Sequence, residues 1–136
     1  MPFTLRSHTA DIAVEATGRT LDETFAAMAD GLAAAMCETV PDEGDRFELR
    51  VTAESVEALL FDYLDELIYE RDVRNVLPVE NDAVVTEDGG EWRVEASARG
   101  VPLTAVTARE VKAVTYSEMT VESTPDGCRA YVVFDV

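Results

Sequence analysis

The sequence predicts an α+β fold, in which two helices pack on mainly antiparallel sheets. Two long stretches repeat apolar residues at helical spacing, and several short stretches alternate apolar and polar residues as half-buried strands do. Turn-forming Gly, Asp and Pro residues separate neighbouring strands in the C-terminal half. A chain of 136 residues can bury one core, so we expect a single domain over residues 1–136.

The N-terminal part contains two short predicted strands and the first helix. The strands are expected at Phe3–Arg6 and Ile12–Thr17. Thr20 and Glu23 have the spacing of a capping box, and apolar residues then recur at helical spacing until Pro41, which cannot continue a helix. The recurring residues are Leu21, Phe25, Met28, Leu32 and Met36.

The remainder of the chain predicts one more helix and a series of strands. A strand at Phe47–Val51 precedes a helix that Ser55 could cap, with an apolar stripe on one face and an acidic opposite face. The stripe contains Val56, Leu59, Leu60, Tyr63, Leu64, Leu67 and Ile68. Further strands are expected at Val84–Thr86, Trp92–Ala98, Val111–Tyr116, Met119–Glu122 and Arg129–Val136. The order of these elements, about eight strands in all, suggests two interleaved strand–helix–strand modules.

Charge is the extreme property of the composition. The 28 Asp and Glu residues outnumber the 11 Lys and Arg residues, which gives a net charge of −17. Such a surface repels phosphate backbones, so direct binding to nucleic acid is not expected and a protein partner is favoured. Lys112 is the only lysine. High acidity with almost no lysine is typical of the cytoplasm of a halophilic archaeon, where salt screens the repulsion.

The absence of long apolar runs and of known catalytic motifs excludes several classes of protein. No apolar run approaches the roughly 20 residues that span a bilayer, and the N-terminus lacks a secretory signal, so we expect a cytoplasmic protein with no membrane partner. Phosphate-binding loops, dinucleotide-binding fingerprints, nucleophile elbows and HExxH motifs do not occur. His8 is the only histidine, and no nucleophile accompanies it, so covalent catalysis is not expected.

Two aspartates have an unusual placement at the ends of strands. Asp11 precedes the second strand, and Asp135 ends the last one, where Val136 adds the carboxylate and carbonyl oxygens of the chain end. If the two carboxylates meet, a cation such as Ca²⁺, Mg²⁺ or Mn²⁺ would relieve their repulsion. Alternatively, Asp11 forms a local turn hydrogen bond and Asp135 frays into solvent. Residue types alone leave both explanations open.

Four separated motifs resemble the archease family over essentially the whole chain. They are SHTADI at residues 7–12, LLFDYLDELIYERD at 59–72, REVKAVTYSEMTV at 109–121 and the closing VVFDV. The resemblance implies a small, non-enzymatic cytosolic cofactor of the RtcB-type RNA ligase in tRNA splicing, which promotes guanylation and multiple turnover of the ligase.

The resemblance also implies the residues of a functional site. Asp11, Asp135 and Val136 are expected to hold a divalent cation, with Ca²⁺ ahead of Mn²⁺ or Mg²⁺. Lys112 matches the functional lysine of the family, and His8 is expected to support the ligands rather than bind the ion. Many archeases have histidine where this chain has Ser117, so we assign Ser117 no role.

The sequence leaves two other functions open. The protein could be a chaperone or specificity modulator of a tRNA methyltransferase, which a changed methylation pattern would reveal. It could also be a metal-dependent hydrolase, which turnover of a phosphodiester by the isolated protein would reveal. The shortage of basic residues to line a substrate pocket disfavours the hydrolase.

Overall fold

The computed structural model describes residues 2–8 and 11–136, with the side chains of residues 6–8 left aside. Within these ranges the chain forms two β-sheets, two α-helices and a short 3-10 helix. The strands are β1 (Phe3–His8), β2 (Asp11–Gly18), β3 (Asp45–Ala53), β4 (Val76–Asp88), β5 (Glu91–Pro102), β6 (Ala113–Thr124) and β7 (Gly127–Asp135). The α-helices are α1 (Leu21–Met36) and α2 (Val56–Arg74), and the 3-10 helix is Leu103–Ala105.

The two sheets divide the chain between its ends and its middle. One sheet has the strand order β1-β2-β7-β6 and the other has the order β3-β5-β4. Every pair of neighbouring strands is antiparallel. The first sheet therefore combines strands from both ends of the chain, and the predicted α+β class is confirmed. A consequence for function is that β2 and β7, far apart in sequence, lie side by side.

Each helix contacts strands of both sheets. Helix α1 packs on β2 and β4, and α2 packs on β3 and β6. The shared core contains fully buried aromatic side chains from both helices and from β7, namely Phe25, Tyr63 and Phe134. Because a fully buried large apolar side chain stabilises the fold by about 2 kcal/mol, this core fixes the position of β7 and the strands beside it.

Local side chains set the limits of helix α1. The Thr20 Oγ1 atom accepts a hydrogen bond from the Glu23 amide at 3.2 Å, and Glu23 Oε1 accepts one from the Arg19 amide at 3.1 Å. The first bond is the one that the predicted capping box requires, whereas the Glu23 carboxylate accepts from the amide one residue before the Thr20 cap. The helix ends at Met36, before Pro41.

Helix α2 begins and ends by the same kind of local chemistry. The Ser55 Oγ atom accepts a hydrogen bond from the Ala58 amide at 3.1 Å, which confirms the predicted cap. The helix continues beyond the predicted stripe to Arg74 and ends at Asn75, whose φ of 56° is left-handed. Asparagine tolerates this conformation better than most residues. None of the described helices is both long enough and apolar enough to cross a membrane.

The strands differ from the prediction in two places. Strand β4 begins at Val76, well before the expected Val84. Pro78 and the polar residues after it interrupt the alternating pattern, so the sequence does not indicate the first half of the strand. A proline is tolerated there because β4 is an edge strand. Strand β6 is continuous where two strands were expected. The described ranges therefore contain seven strands instead of about eight.

Both differences involve a bulge at a glutamate with positive φ. In the β4 bulge, residues 80–81, the register with β5 shifts and Glu80 has a φ of 49°. In the β6 bulge, residues 116–119, the register with β7 shifts and Glu118 has a φ of 58°. Non-glycine residues rarely adopt this conformation, so neither bulge could be read from a period-two pattern.

Candidate functional site

Asp11 and Asp135 lie directly opposite each other on neighbouring strands. Asp11 is the first residue of β2 and pairs with Asp135, the last residue of β7. Opposite residues of an antiparallel pair point to the same face, with their Cβ atoms about 5 Å apart. Asp11 is half-buried and Asp135 is exposed. The juxtaposition that a shared cation requires is therefore present.

Lys112 and Val136 adjoin this pair. Strand β6 lies on the other side of β7, where Ala113 pairs with Asp135. The Lys112 amide donates a hydrogen bond to the Asp135 carbonyl oxygen at 2.8 Å, and the Lys112 side chain is exposed. Val136 follows Asp135 and packs against the core. Asp11, Lys112, Asp135 and Val136 therefore meet at one sheet end, which we call the tip.

A buried arginine holds the segment that carries Lys112. Arg71, which is 7% exposed, donates a hydrogen bond from Nη1 to the Val111 carbonyl oxygen at 2.8 Å. Its Nε atom donates to Asp72 Oδ1 at 3.0 Å. Sequence reasoning missed Arg71, although it lies four residues after Leu67 and so continues the buried stripe of α2. The main chain of Lys112 is thus fixed from α2 and from β7.

The donor set at the tip suits a hard divalent ion. Like charges directly opposite each other in a sheet are destabilising, and a bound cation reverses that effect. Carboxylate and main-chain oxygens are the ligands that Ca²⁺, Mg²⁺ and Mn²⁺ prefer. Among the described residues, no group of three or more His, Cys, Asp and Glu side chains could hold a metal. An ion at the tip would therefore need main-chain oxygens, such as those of Val136, or water beside the two aspartates.

The other residues of the predicted site are only partly described. The main chain of His8 pairs with Asp11 across β1 and β2, which places His8 in line with the aspartate pair. The expected supporting role of its side chain lies outside the described residues, as do Thr9 and Ala10. Ser117 is exposed in the β6 bulge, and its amide donates to Thr115 Oγ1 at 3.2 Å.

Comparison with known proteins decides the family. The family model described as the archease protein family (MTH1598/TM1083) matches residues 3–136. The chain belongs to the archease family. The archease protein of Methanosarcina acetivorans is 36% identical over 141 aligned residues, which cover 95% of this chain and 92% of that protein. The archease protein of Thermococcus gammatolerans is 36% identical over 124 residues, covering 88% of this chain and 87% of the relative.

Solved structures with the archease fold agree with this architecture. The solution structure of protein 1598 from Methanobacterium thermoautotrophicum has a TM-score of 0.87 and 26% identity, and 99% of each chain is covered. The crystal structure of an archease from Thermotoga maritima has a TM-score of 0.65 and covers 96% of this chain and 94% of its own. At 24% identity the second comparison supports the fold alone.

Proposed function

We propose that this archease-family chain is a non-enzymatic activator of the RtcB-type RNA ligase in tRNA splicing. In this proposal the tip carries a divalent cation, with Ca²⁺ ahead of Mn²⁺ or Mg²⁺, and promotes guanylation and multiple turnover of the ligase. The observation that carries the proposal is the pairing of Asp11 with Asp135 beside the main chain of Lys112. The ligase as partner is what the resemblance to the archease family implies.

Each tip residue has a distinct part in the proposal. Asp11 and Asp135 would hold the cation from neighbouring strands, and the main-chain oxygens of Val136 would add ligands. The bound ion supplies positive charge to phosphate oxygens. The exposed Lys112 side chain ends in a compact ammonium group on a flexible stem, which can contact a phosphate without displacing the aspartates.

The exposure of the tip favours action on a partner's active site. Asp135 and Lys112 are exposed at the end of a sheet whose strands are anchored in the core. Positioning and charge neutralisation are the main contributions to phosphoryl and nucleotidyl transfer. A small protein can make both contributions without a nucleophile of its own, provided that its charged groups are held rigidly.

Guanylation of the purified ligase by GTP tests the proposal. The reaction is measured with the wild-type chain, Asp11→Asn, Asp135→Asn and Lys112→Arg. We expect each aspartate variant to lose stimulation by about tenfold or more, which corresponds to about 1.4 kcal/mol. Lys112→Arg keeps the charge but not the compact ammonium, so a smaller loss is expected.

The matched control is Asp126→Asn, in the exposed turn between β6 and β7 at the far end of both strands. This variant removes the same charge as Asp135→Asn and should stimulate as the wild type does. If Asp11→Asn and Asp135→Asn also stimulate like the wild type, the tip has no part in activation.

A second candidate function is that of a chaperone or specificity modulator of a tRNA methyltransferase. The matching family is described by MTH1598 and TM1083, and TM1083 of Thermotoga maritima is described as a possible chaperone, so shared family membership favours this alternative. A methyltransferase whose site pattern or solubility changes with this chain, while ligation stays unchanged, would support it. The tip variants separate the two functions because a chaperone role does not require the aspartate pair.

A further inference from the structure

One ridge of helix α2 exposes large apolar side chains to solvent. Residues four apart on a helix form a continuous ridge, and Phe61, Asp65, Tyr69 and Val73 have this spacing. Tyr69 and Val73 are each 58% exposed. Burial of these side chains would be favourable, so their exposure requires an explanation.

The β6 bulge adds a third exposed side chain to this ridge. The Tyr116 ring stacks on the Phe61 ring with centroids 4.0 Å apart and planes 5° from parallel. Tyr116, within the β6 bulge, is nevertheless 57% exposed. Five large apolar residues are exposed within the described ranges, and Tyr69, Val73 and Tyr116 are three of them. The exposed apolar surface is therefore concentrated at α2 and β6.

Carboxylates without a basic partner adjoin the aromatic pair. Of the acidic residues on α2, Glu70 pairs with Arg74 and Asp72 pairs with Arg71. Asp62, by contrast, forms no ion pair with any described residue, and the same holds for Asp65 and Glu66. The negative charge in the middle of α2 is therefore not neutralised by an ion pair within the described residues.

The directions of the pKa shifts of Asp62 and Tyr116 agree with the positions of the two residues. Burial, and then the charge of Asp65, raises the pKa of Asp62. Burial, and then the charge of Asp62, raises the pKa of Tyr116. Asp62 follows Phe61 directly in α2, and the Phe61 ring stacks on Tyr116, so the carboxylate lies near the aromatic pair.

We infer that the α2–β6 surface, formed by Phe61, Asp62, Asp65, Tyr69, Val73 and Tyr116, docks an arginine-bearing surface of the ligase. An arginine guanidinium stacks on aromatic rings and pairs with carboxylates at the same time. The Phe61–Tyr116 pair and the neighbouring Asp62 offer these two contacts close together. The inference rests on the proposed function, since it takes the ligase as the partner. A nucleic acid is disfavoured because the carboxylates repel phosphates.

The α2–β6 surface is continuous with the tip through β6. Ala113 at the start of β6 pairs with Asp135, and Tyr116 follows three residues later on the same strand. Arg71 of α2 is bonded to Val111, so the helix and the tip segment are held together. A partner that receives the tip therefore also meets the α2–β6 surface.

Binding of the purified ligase, measured by isothermal titration calorimetry, tests this inference. The test variant is Asp62→Asn with Tyr69→Ser, which removes one charge and one exposed ring. The matched control is Glu91→Gln with Val84→Ser on the other sheet, where both residues are exposed. We expect the test variant to bind at least about tenfold more weakly and the control to bind like the wild type. Circular dichroism and Ca²⁺ binding should be unchanged in both.

The outcomes separate the two proposals. If the folded test variant binds the ligase as tightly as the wild type does, the α2–β6 surface is not the docking site, while loss of stimulation by Asp135→Asn would still support the tip. If the test variant weakens binding but Asp135→Asn stimulates normally, the surface stands and the tip function fails. If the wild type does not bind the ligase, both are wrong.

Discussion

The β4 bulge and the β6 bulge are the same backbone irregularity in two different surroundings. At the β4 bulge, the Arg99 guanidinium donates two hydrogen bonds to the Glu80 carboxylate, at 3.0 and 3.2 Å. Arg46 donates to the Glu80 carbonyl oxygen at 2.9 Å. The next residue, Asn81, is 5% exposed and donates from its main chain and its side chain to Asp30 Oδ1.

The β6 bulge has far fewer attachments. Among the hydrogen bonds of the described residues, the one side-chain bond within it joins the Ser117 amide to Thr115 Oγ1. Tyr116 is held by stacking on Phe61 and remains exposed. A left-handed glutamate costs about 1–2 kcal/mol in either place. The β4 bulge is therefore stabilised by neighbouring side chains, whereas the β6 bulge leaves side chains available to a partner.

Removing Asp30 should have the largest effect on stability. Asp30→Ala leaves the buried Asn81 amide and side-chain N–H groups without their acceptor, so we expect the free energy of unfolding to fall by about 3 kcal/mol. Urea unfolding measures the change. Thr115→Val removes the exposed bond at the β6 bulge and should cost about 0.5 kcal/mol or less. Equal losses in the two variants would contradict the difference between the bulges.

Substituting glycine for each positive-φ glutamate should distinguish backbone strain from stabilisation by neighbouring side chains. Glu118→Gly relieves the left-handed conformation and loses no described ion pair, so we expect the free energy of unfolding to rise by about 1 kcal/mol. Glu80→Gly relieves the same strain but removes the partner of Arg99, so its gain should be smaller or reversed. Thermal unfolding of both variants provides the measurement. A larger gain for Glu80→Gly would show that the Arg99 pairing is unimportant.

The smallest expected effect is on the pH dependence of stability. Removing a carboxylate near each bulge should change stability in opposite directions. Burial, and then Asp65, raises the pKa of Asp62, so its ionised form is disfavoured in the folded state. This cost is present above the folded pKa and absent below the unfolded pKa. Because the group is largely exposed and screened, Asp62→Asn should raise stability by only about 0.3 kcal/mol at neutral pH, and the gain should vanish in acid.

Glu80 should behave in the opposite way. Its hydrogen bonds with Arg99, and then the Arg99 charge, lower the pKa of Glu80. The resulting stabilisation is present above the unfolded pKa and is lost as the pH falls through the folded pKa. Glu80→Gln should therefore lower the melting temperature at neutral pH, with no difference from the wild type in strong acid. Melting curves between about pH 3 and about pH 7 compare the two variants, and shifts of the same sign would be inconsistent with the described contacts.

Local features of the fold were predictable from the sequence because their causes are local. The Thr20 and Ser55 caps bond to amides three residues ahead, and the turn at Gly89 joins adjacent strands. The two bulges were not predictable, since neither has a glycine at its positive-φ position and Glu80 is supported by Arg99 and Arg46 from other strands. Those contacts exist only after the strands have paired.

At the candidate site, too, individual residues were predictable from the sequence, but their spatial arrangement was not. Asp11 and Asp135 were singled out by their positions at strand ends, but residue types alone could not bring them together. Their register follows from the placement of β2 beside β7, which is a property of the whole fold. Arg71 was missed because an arginine within an apolar stripe resembles an ordinary helix-end cation until its bond to Val111 is seen.

Calorimetric titration with Ca²⁺ of the wild-type chain, Asp11→Asn, Asp135→Asn and the control Asp126→Asn tests whether the tip binds a cation. We expect one ion per chain, with affinity reduced about tenfold or more in Asp11→Asn and in Asp135→Asn and unchanged in the control. Unchanged Ca²⁺ affinity in Asp11→Asn and Asp135→Asn would contradict the claim that the two ends of the chain form one metal-bearing tip.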